Sequence, residues 1–248
     1  MALRPTEMSF REGPTIRLLE AHPDLRQGLD AQQAAAATAR VIARTVQLRA
    51  GPWIPSSVPD QQRDHLALLV IEGILSRTVT LAGRTAVELL GGEDLLRPWD
   101  DHSEPTSMAV EVTWTVLRPT RLAVIDERFL ARIGPWPVIS ASLLNRTVGR
   151  TRWLVRHLAI LDQPRLDVRL ILLFWELADR WGKVAPEGVS VPLPITHQML
   201  GRIIRAQRPS VTAALKELRE RGFLSREADG TWVIHGDAAE QLRELTGE

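Results

Sequence analysis

Apolar and polar positions along this chain follow two rhythms, and the change from one to the other divides it. Met1 to Pro23 shows neither and reads as a loosely ordered leader. Asp30 is placed to cap an alanine-rich helix over Ala31 to Arg44. The period then shortens towards two. Val46 and Leu48, followed by Gly51-Pro52 and Pro55, read as a strand and turn, and Leu66 to Ile71 is a compact apolar run. Ile74 to Thr80 alternates, and Ala82-Gly83-Arg84 turns it into Thr85 to Leu90. Gly91-Gly92 makes another turn before Asp94 to Leu96. Val110 to Leu117 alternates again, and Thr120 to Ile125 follows Arg118-Pro119. Short strands separated by Gly/Pro turns predict a β-sandwich or jelly roll.

After Asp126, a candidate N-cap, the period becomes helical. Pro135 and Pro137 interrupt it, and a longer helix is predicted from about Val138 to Leu161. Its apolar seam is Ala141, Leu144, Val148, Thr151, Val155 and Leu158, in steps of three and four, bordered by Arg146, Arg150, Arg152 and Arg156. Spacing alone leaves open whether that seam faces the chain's own core or a second helix. Asp162-Gln163-Pro164 ends it, and Leu166 to Trp181 is a strongly apolar helix. Lys183 to Gly188 reads as a loop and Val189 to Leu193 as an edge strand.

The segment Pro194 to Gly236 carries the most information. Thr196 can cap a first helix whose apolar face is Leu200, Ile203 and Ile204. A turn, Arg205-Ala206-Gln207, leads to a second helix opening at Arg208-Pro209, where proline's missing N–H costs nothing. Val211, Leu215 and Leu218 are its buried stripe, and Gly222 stops it. Phe223-Leu224 and Trp232-Val233-Ile234 flank Ala228-Asp229-Gly230, a hairpin signal. Two short helices, a tight turn and a hairpin make a winged helix-turn-helix, which sets one helix in the major groove of DNA.

Charge supports this reading. Between Ile195 and Arg226 stand Arg202, Arg205, Arg208, Lys216, Arg219, Arg221 and Arg226 against Glu217 and Glu220, a net +5 in a chain whose formal charge is +1. A basic excess this local is what phosphate contact needs. Arg208, Ser210 and Thr212 fall at the groove-facing end of the second helix. Thr196, His197, Arg202, Arg205, Gln207 and Lys216 are the further candidate DNA contacts.

The remaining composition excludes more than it adds. With no cysteine there is no disulfide, iron–sulfur cluster or thiol nucleophile. No apolar run approaches a membrane span, and Met1 to Gly13 lacks a signal-peptide core, so a cytoplasmic protein with no membrane contact is expected. No Gly-x-Ser-x-Gly elbow, phosphate-cradling Gly-Lys-Ser/Thr loop or His-Glu-x-x-His helix occurs, and no enzyme activity is expected. Asp100-Asp101-His102 is a dense polar cluster read as a solvated loop, because three adjacent residues converge poorly on one ion.

A β-rich domain, a long helix and a winged helix, in this order, resemble the Crp/Fnr family of bacterial transcription regulators over about Asp24 to Gly236. The likeness rests on Leu193 to Gln198 and Gly201, on Arg208 to Leu215, and less closely on Leu48 to Gly51, Leu69 to Gly73 and Leu89 to Asp94. It implies an α+β fold: a leader (1–23), a cyclic-nucleotide-binding-like β domain (24–134), a dimerisation helix (135–162) and a winged helix-turn-helix (163–248). It implies a homodimer on double-stranded DNA, paired through Leu144, Val148, Thr151, Val155 and Leu158, with RNA polymerase and a small-molecule effector as further candidate partners.

The departures are as informative. Where cyclic-nucleotide-binding members place a Gly-Glu pair, this chain has Leu96 to Asp101, and near Val110-Glu111-Val112 there is no Arg-Ser pair for the phosphate. Cyclic AMP is therefore not expected as effector. Arg97, Trp99 and Asp100 mark the altered pocket where another ligand would be sought. The iron–sulfur branch is excluded by composition. Haem would need His65, His102 or His157, and no cofactor is expected. In the second helix Arg208-Pro209 stands where the family has Arg-Glu, and Ala213 replaces a later arginine, so the operator should differ from those of well-known members. The alternative is a protein-interaction module with a vestigial sensor domain and a winged helix that does not bind DNA, for which the local +5 would have no purpose.

Overall fold

The computed structural model describes residues 11–55, 65–102 and 107–247, so residues 1–10 of the expected leader and residues 103–106 lie outside it. The chain divides into two compact units, residues 1–84 with 88–151 and residues 85–87 with 152–248. The sequence reading instead sets boundaries at 24, 134 and 162. Among the described residues no helix is long and apolar enough to cross a membrane.

The first unit is built on antiparallel strands. From Arg11 the expected leader is a strand, β1 (Arg11–Arg17), paired with β2 (Ile42–Leu48), and then a short helix, α1 (Leu18–Ala21). Its Leu18 and Leu19 are fully buried, which is why this stretch is part of the fold. Asp30 and Gln33 form a reciprocal capping box on α2 (Ala31–Arg40), which stops short of Arg44 because the chain turns into β2. A short strand β3 (Gly51–Trp53) follows.

Two pairs of expected strands are each continuous. Leu66–Ile71 and Ile74–Thr80 belong to β4 (His65–Leu81), and Val110–Leu117 and Thr120–Ile125 to β7 (Val110–Asp126). β5 (Arg84–Gly91) and β6 (Leu95–Leu96) lie between them in sequence. The strand order is β1-β2-β7-β4-β5, with β3 on β7 and β6 on β4. The register of β4 on β7 shifts around Gly73, so the strands bend there without ending. Gly73 has φ +101°, and a Cβ on it would meet Thr120 Cα at 2.5 Å and Pro119 O at 2.6 Å, so no other residue fits the bend. Trp53 and Trp114 pack edge to face, 5.6 Å apart, in the core between β2, β4 and β7.

Asp126 caps α3 (Glu127–Ile133) through Phe129 N–H at 2.7 Å and also accepts from Arg44 at 3.1 Å. α4 (Pro137–Leu161) follows. Ile139 and Leu143 join the first unit's core, while Trp153, His157 and Ile160 are buried in the second unit. With Arg146 and Arg150 these residues repeat in steps of three and four, so they share one face of the helix. The expected seam lies on the opposite face.

The second unit packs α5 (Leu166–Trp181), α6 (His197–Ile204) and α7 (Arg208–Glu220) with a small sheet. That sheet runs, in order, β10 (Leu224–Arg226), β11 (Trp232–Ile234), β9 (Gly188–Val191) and β8 (Lys183–Ala185). The expected loop after Trp181 begins as a strand, β8 (Lys183–Ala185), hairpinned to β9 (Gly188–Val191). β10 (Leu224–Arg226) and β11 (Trp232–Ile234) form the expected wing. A further helix, α8 (Ala238–Thr246), capped by Asp237, falls where no element is predicted. Its buried Gln241 accepts from Trp175 Nε1 at 2.7 Å and donates to Phe223 O at 3.3 Å.

Candidate nucleic-acid interface

Backbone groups at the ends of α6 place the paired helices. Thr196 Oγ1 accepts from Met199 N–H at 3.2 Å, as its cap position predicts. At the other end, helix geometry leaves carbonyls without helical partners. Arg169 of α5 donates to Ile204 O at 2.9 Å, and buried His157 of α4 sets Nε2 3.4 Å from Ile203 O and Nδ1 3.3 Å from Glu176. His157 is thus committed to the hydrogen-bonding of its own unit. His65 and His102 side chains lie outside the described residues.

The turn between α6 and α7 is tight. Arg205 ends α6 in the left-handed region, φ 57°, and Ala206 N–H donates to Gly201 O at 2.8 Å. A Cβ on Gly201 would sit 2.6 Å from Ala206 O, so this backbone approach needs glycine. Val211, Ala214, Leu215 and Leu218 bury one face of α7. At 100° per residue Pro209, Ala213 and Lys216 centre the opposite face, with Thr212 beside them and Arg208 and Ser210 flanking at the N-terminal end. All six are exposed, as are Thr196, Arg202, Arg205 and Gln207, while His197 is half-buried.

The cations on this surface differ in their freedom. Lys216 is 3.6 Å from Glu220, and Arg221 pairs with Glu244 and stacks on Phe223. Among the described residues Arg202, Arg205, Arg208 and Arg219 have no carboxylate partner. His197 Nδ1 lies 3.0 Å from Thr212 Oγ1, whose single proton goes to Arg208 O at 3.0 Å. With the Thr212 proton on Arg208 O, Nδ1–H donates to Thr212 Oγ1 and Nε2 is the free nitrogen. Burial, then Arg226, Arg208 and Arg219 in that order, hold the His197 pKa below the usual imidazole range. Arg219 and Arg226 are thus part of the site, although the sequence reading counts them only as charge. Arg226 is steadied by the ring of Trp232, 5.1 Å away, across the β10–β11 hairpin whose turn signal, Asp229-Gly230, is readable in the sequence.

The other candidate residues fall into two groups. On α4, Leu144 is 65% exposed, Val148 41%, Val155 62% and Leu158 58%, and Thr151 gives its hydroxyl to Thr147 O. Arg146 and Arg150 do not border this seam. They face the β domain, where Arg146 pairs with Asp24 at 2.6 Å and Arg150 with Glu88 at 2.7 Å. In the expected effector pocket Arg97 is 2.6 Å from Asp100, and Trp99 packs, half-buried, against the core around Trp53 and Trp114. Asp101 is not a solvated loop residue: it accepts from Arg77 Nε at 3.1 Å and Trp114 Nε1 at 2.9 Å, and its side chain is only 8% exposed. Arg77 also lies 3.7 Å from Glu88, so a chain of alternating charge runs Asp101, Arg77, Glu88, Arg150.

Residues 168–245 match the family model of the Crp-like helix-turn-helix domain. Solved structures extend the likeness to most of the chain at low identity. A cyclic nucleotide-binding domain containing protein from Listeria monocytogenes EGD-e aligns with TM-score 0.60 and 19% identity, covering 77% of this chain and 88% of that one. A CooA double mutant from Carboxydothermus hydrogenoformans aligns with TM-score 0.58 and 15% identity, covering 82% and 88%. FixK2 from Bradyrhizobium japonicum aligns with TM-score 0.57 and 16% identity, covering 82% and 96%. No curated protein matches in a direct sequence comparison. The fold is that of Crp/Fnr-type transcription regulators, with a sheet-rich N-terminal domain and a Crp-like helix-turn-helix.

Proposed function

We propose that this protein is a DNA-binding transcription regulator that holds a two-fold operator as a homodimer and does not answer to cyclic AMP. The carrying observation is a group of cations, Arg202, Arg205, Arg208 and Arg219, exposed on a helix-turn-helix with no carboxylate partner among the described residues. Four exposed guanidiniums on one helix-turn-helix suit the line that phosphates would follow. Arg208 reads guanine O6/N7, and Pro209 next to it has no acceptor for a cytosine amino group. Thr196, His197, Arg202, Arg205, Gln207 and Lys216 meet the backbone, with Ser210 and Thr212 beside Arg208 at the base edges. Selection from a random duplex pool followed by gel shifts tests this. A sequence-selected, salt-sensitive shift is expected, and a salt-insensitive or unselective one would remove DNA readout from the protein's role.

The dimer reading rests on the exposed apolar stripe of α4. Such a stripe opposite an already buried face wants a second surface, and a copy of the same helix supplies it. A two-fold pair would present recognition helices to half-sites roughly 34 Å apart. Replacing Val148 and Val155 together by glutamate sets like charges across that seam. Sedimentation should then report a monomer, and a persisting dimer would make the stripe irrelevant to assembly.

The effector reading follows from charge. Arg97 is answered by Asp100 and Arg77 by Asp101 and Glu88. A cyclic phosphate would have to displace a carboxylate to reach either guanidinium. Calorimetry with cyclic AMP and cyclic GMP should show no micromolar binding. Any other anionic effector at Arg97, with Trp99 as its wall, faces the same competition from Asp100. The reading is of a cytoplasmic protein with no catalytic role.

A further inference from the structure

We propose that His22, Asp24 and Glu93 form a binding site for a divalent transition-metal ion in the N-terminal unit. One ring nitrogen and one oxygen from each carboxylate lie within 4.8 Å of one another. The three residues come from separate places. His22 ends α1, Asp24 stands in the turn Pro23–Arg26, and Glu93 sits between β5 and β6 with its N–H held by Val70 O at 3.0 Å.

An independent observation points to a ligand. His22 is only 5% exposed, and its Nε2 is buried with no hydrogen-bond partner. A buried imidazole nitrogen normally finds one, so the missing partner is a group the protein chain does not supply.

The surroundings suit a cation in spite of Arg146. That guanidinium donates to Asp24 Oδ2 at 2.6 Å, which orients the carboxylate and leaves Oδ1 for the ion. Two carboxylates against one arginine leave the cluster one negative charge. Arg146 Nε and Nη1 are themselves buried without partners, and they can bind the water or anion oxygen that completes the coordination. A mixed nitrogen and oxygen set favours zinc, iron(II) or manganese over calcium or magnesium, which take oxygen alone. Metal–ligand bonds of about 2.0–2.2 Å put two donors no more than about 4.4 Å apart, so the exposed Glu93 side chain closes by a few tenths of an ångström. An ion here would tie the segment after α1 to the β5–β6 turn and, through Arg146, to α4. The site stands apart from the DNA-binding reading and holds whether or not that reading does.

The test is a titration of the full chain, freed of metal by a chelator and then dialysed, with Zn²⁺ by calorimetry and with Co²⁺ by visible absorption. One equivalent per chain is expected, with micromolar or tighter affinity and visible cobalt bands of a nitrogen/oxygen site. His22→Gln and Glu93→Gln should each weaken binding by about tenfold or more. Glu93 is exposed, so its variant keeps the fold even if the buried histidine cannot be replaced. Absence of saturable binding would overturn the proposal, as would an affinity and a cobalt spectrum that Glu93→Gln leaves unchanged.

Discussion

Two sets of arginines, one in each unit, are used in opposite ways. In the first unit Arg77, Arg146 and Arg150 each meet a carboxylate, and their side chains are 29%, 8% and 22% exposed. In the second, Arg202, Arg205, Arg208 and Arg219 are exposed and meet none among the described residues. The whole chain sums to only +1. Net charge therefore conceals the feature that matters, which is where neutralisation happens inside the molecule and where it is left to a partner. A buried guanidinium without a counter-charge costs several kcal/mol, whereas an exposed one costs little and stays available to phosphate.

Substitution should separate the two uses. Glu88→Leu removes the carboxylate that Arg150 and Arg77 share, leaving two partly buried cations facing each other, and denaturant unfolding should show a loss of about 3 kcal/mol. If stability is unchanged, the charge chain is a surface arrangement and the contrast between the units fails. Arg208→Ala should do the reverse. Unfolding should stay within about 0.5 kcal/mol of the parent, while affinity for the selected operator falls by about 1–3 kcal/mol at one base pair. Unaltered base preference would take Arg208 out of direct readout.

A smaller effect is expected from pH. The His197 pKa lies below its ordinary value in the free protein, so unfolded chains hold more protons at this residue and the domain loses stability as pH falls through the usual imidazole pKa. Phosphates brought beside the ring offset Arg226, Arg208 and Arg219 and raise that pKa, so binding takes up protons. Affinity for DNA should thus tighten roughly two- to threefold between pH 7.5 and 6. His197→Gln should flatten the slope.

Features set by short-range physics were readable along the chain. Caps at Asp30, Asp126 and Thr196, the proline in the first turn of α7 and the stop at Gly222 act within a few residues of the chain. The apolar stripe Val211, Leu215, Leu218 repeats at helical spacing, so the buried face of α7 was legible, whereas on α4 the seam Leu144 to Leu158 proves to be the exposed face and the buried one lies opposite. Which groups meet across long stretches of chain emerges only from the folded packing. Arg146 and Arg150 look like flanks of a seam in sequence, yet their partners Asp24 and Glu88 are 122 and 62 residues away. Asp101 reads as a solvated loop residue until Trp114 and Arg77 come to it. The bend at Gly73, the helix α8 held by Gln241, and the convergence of His22, Asp24 and Glu93 have the same origin. Periodicity tells each residue which way to face, but the neighbour it faces is chosen by the packing of the whole unit.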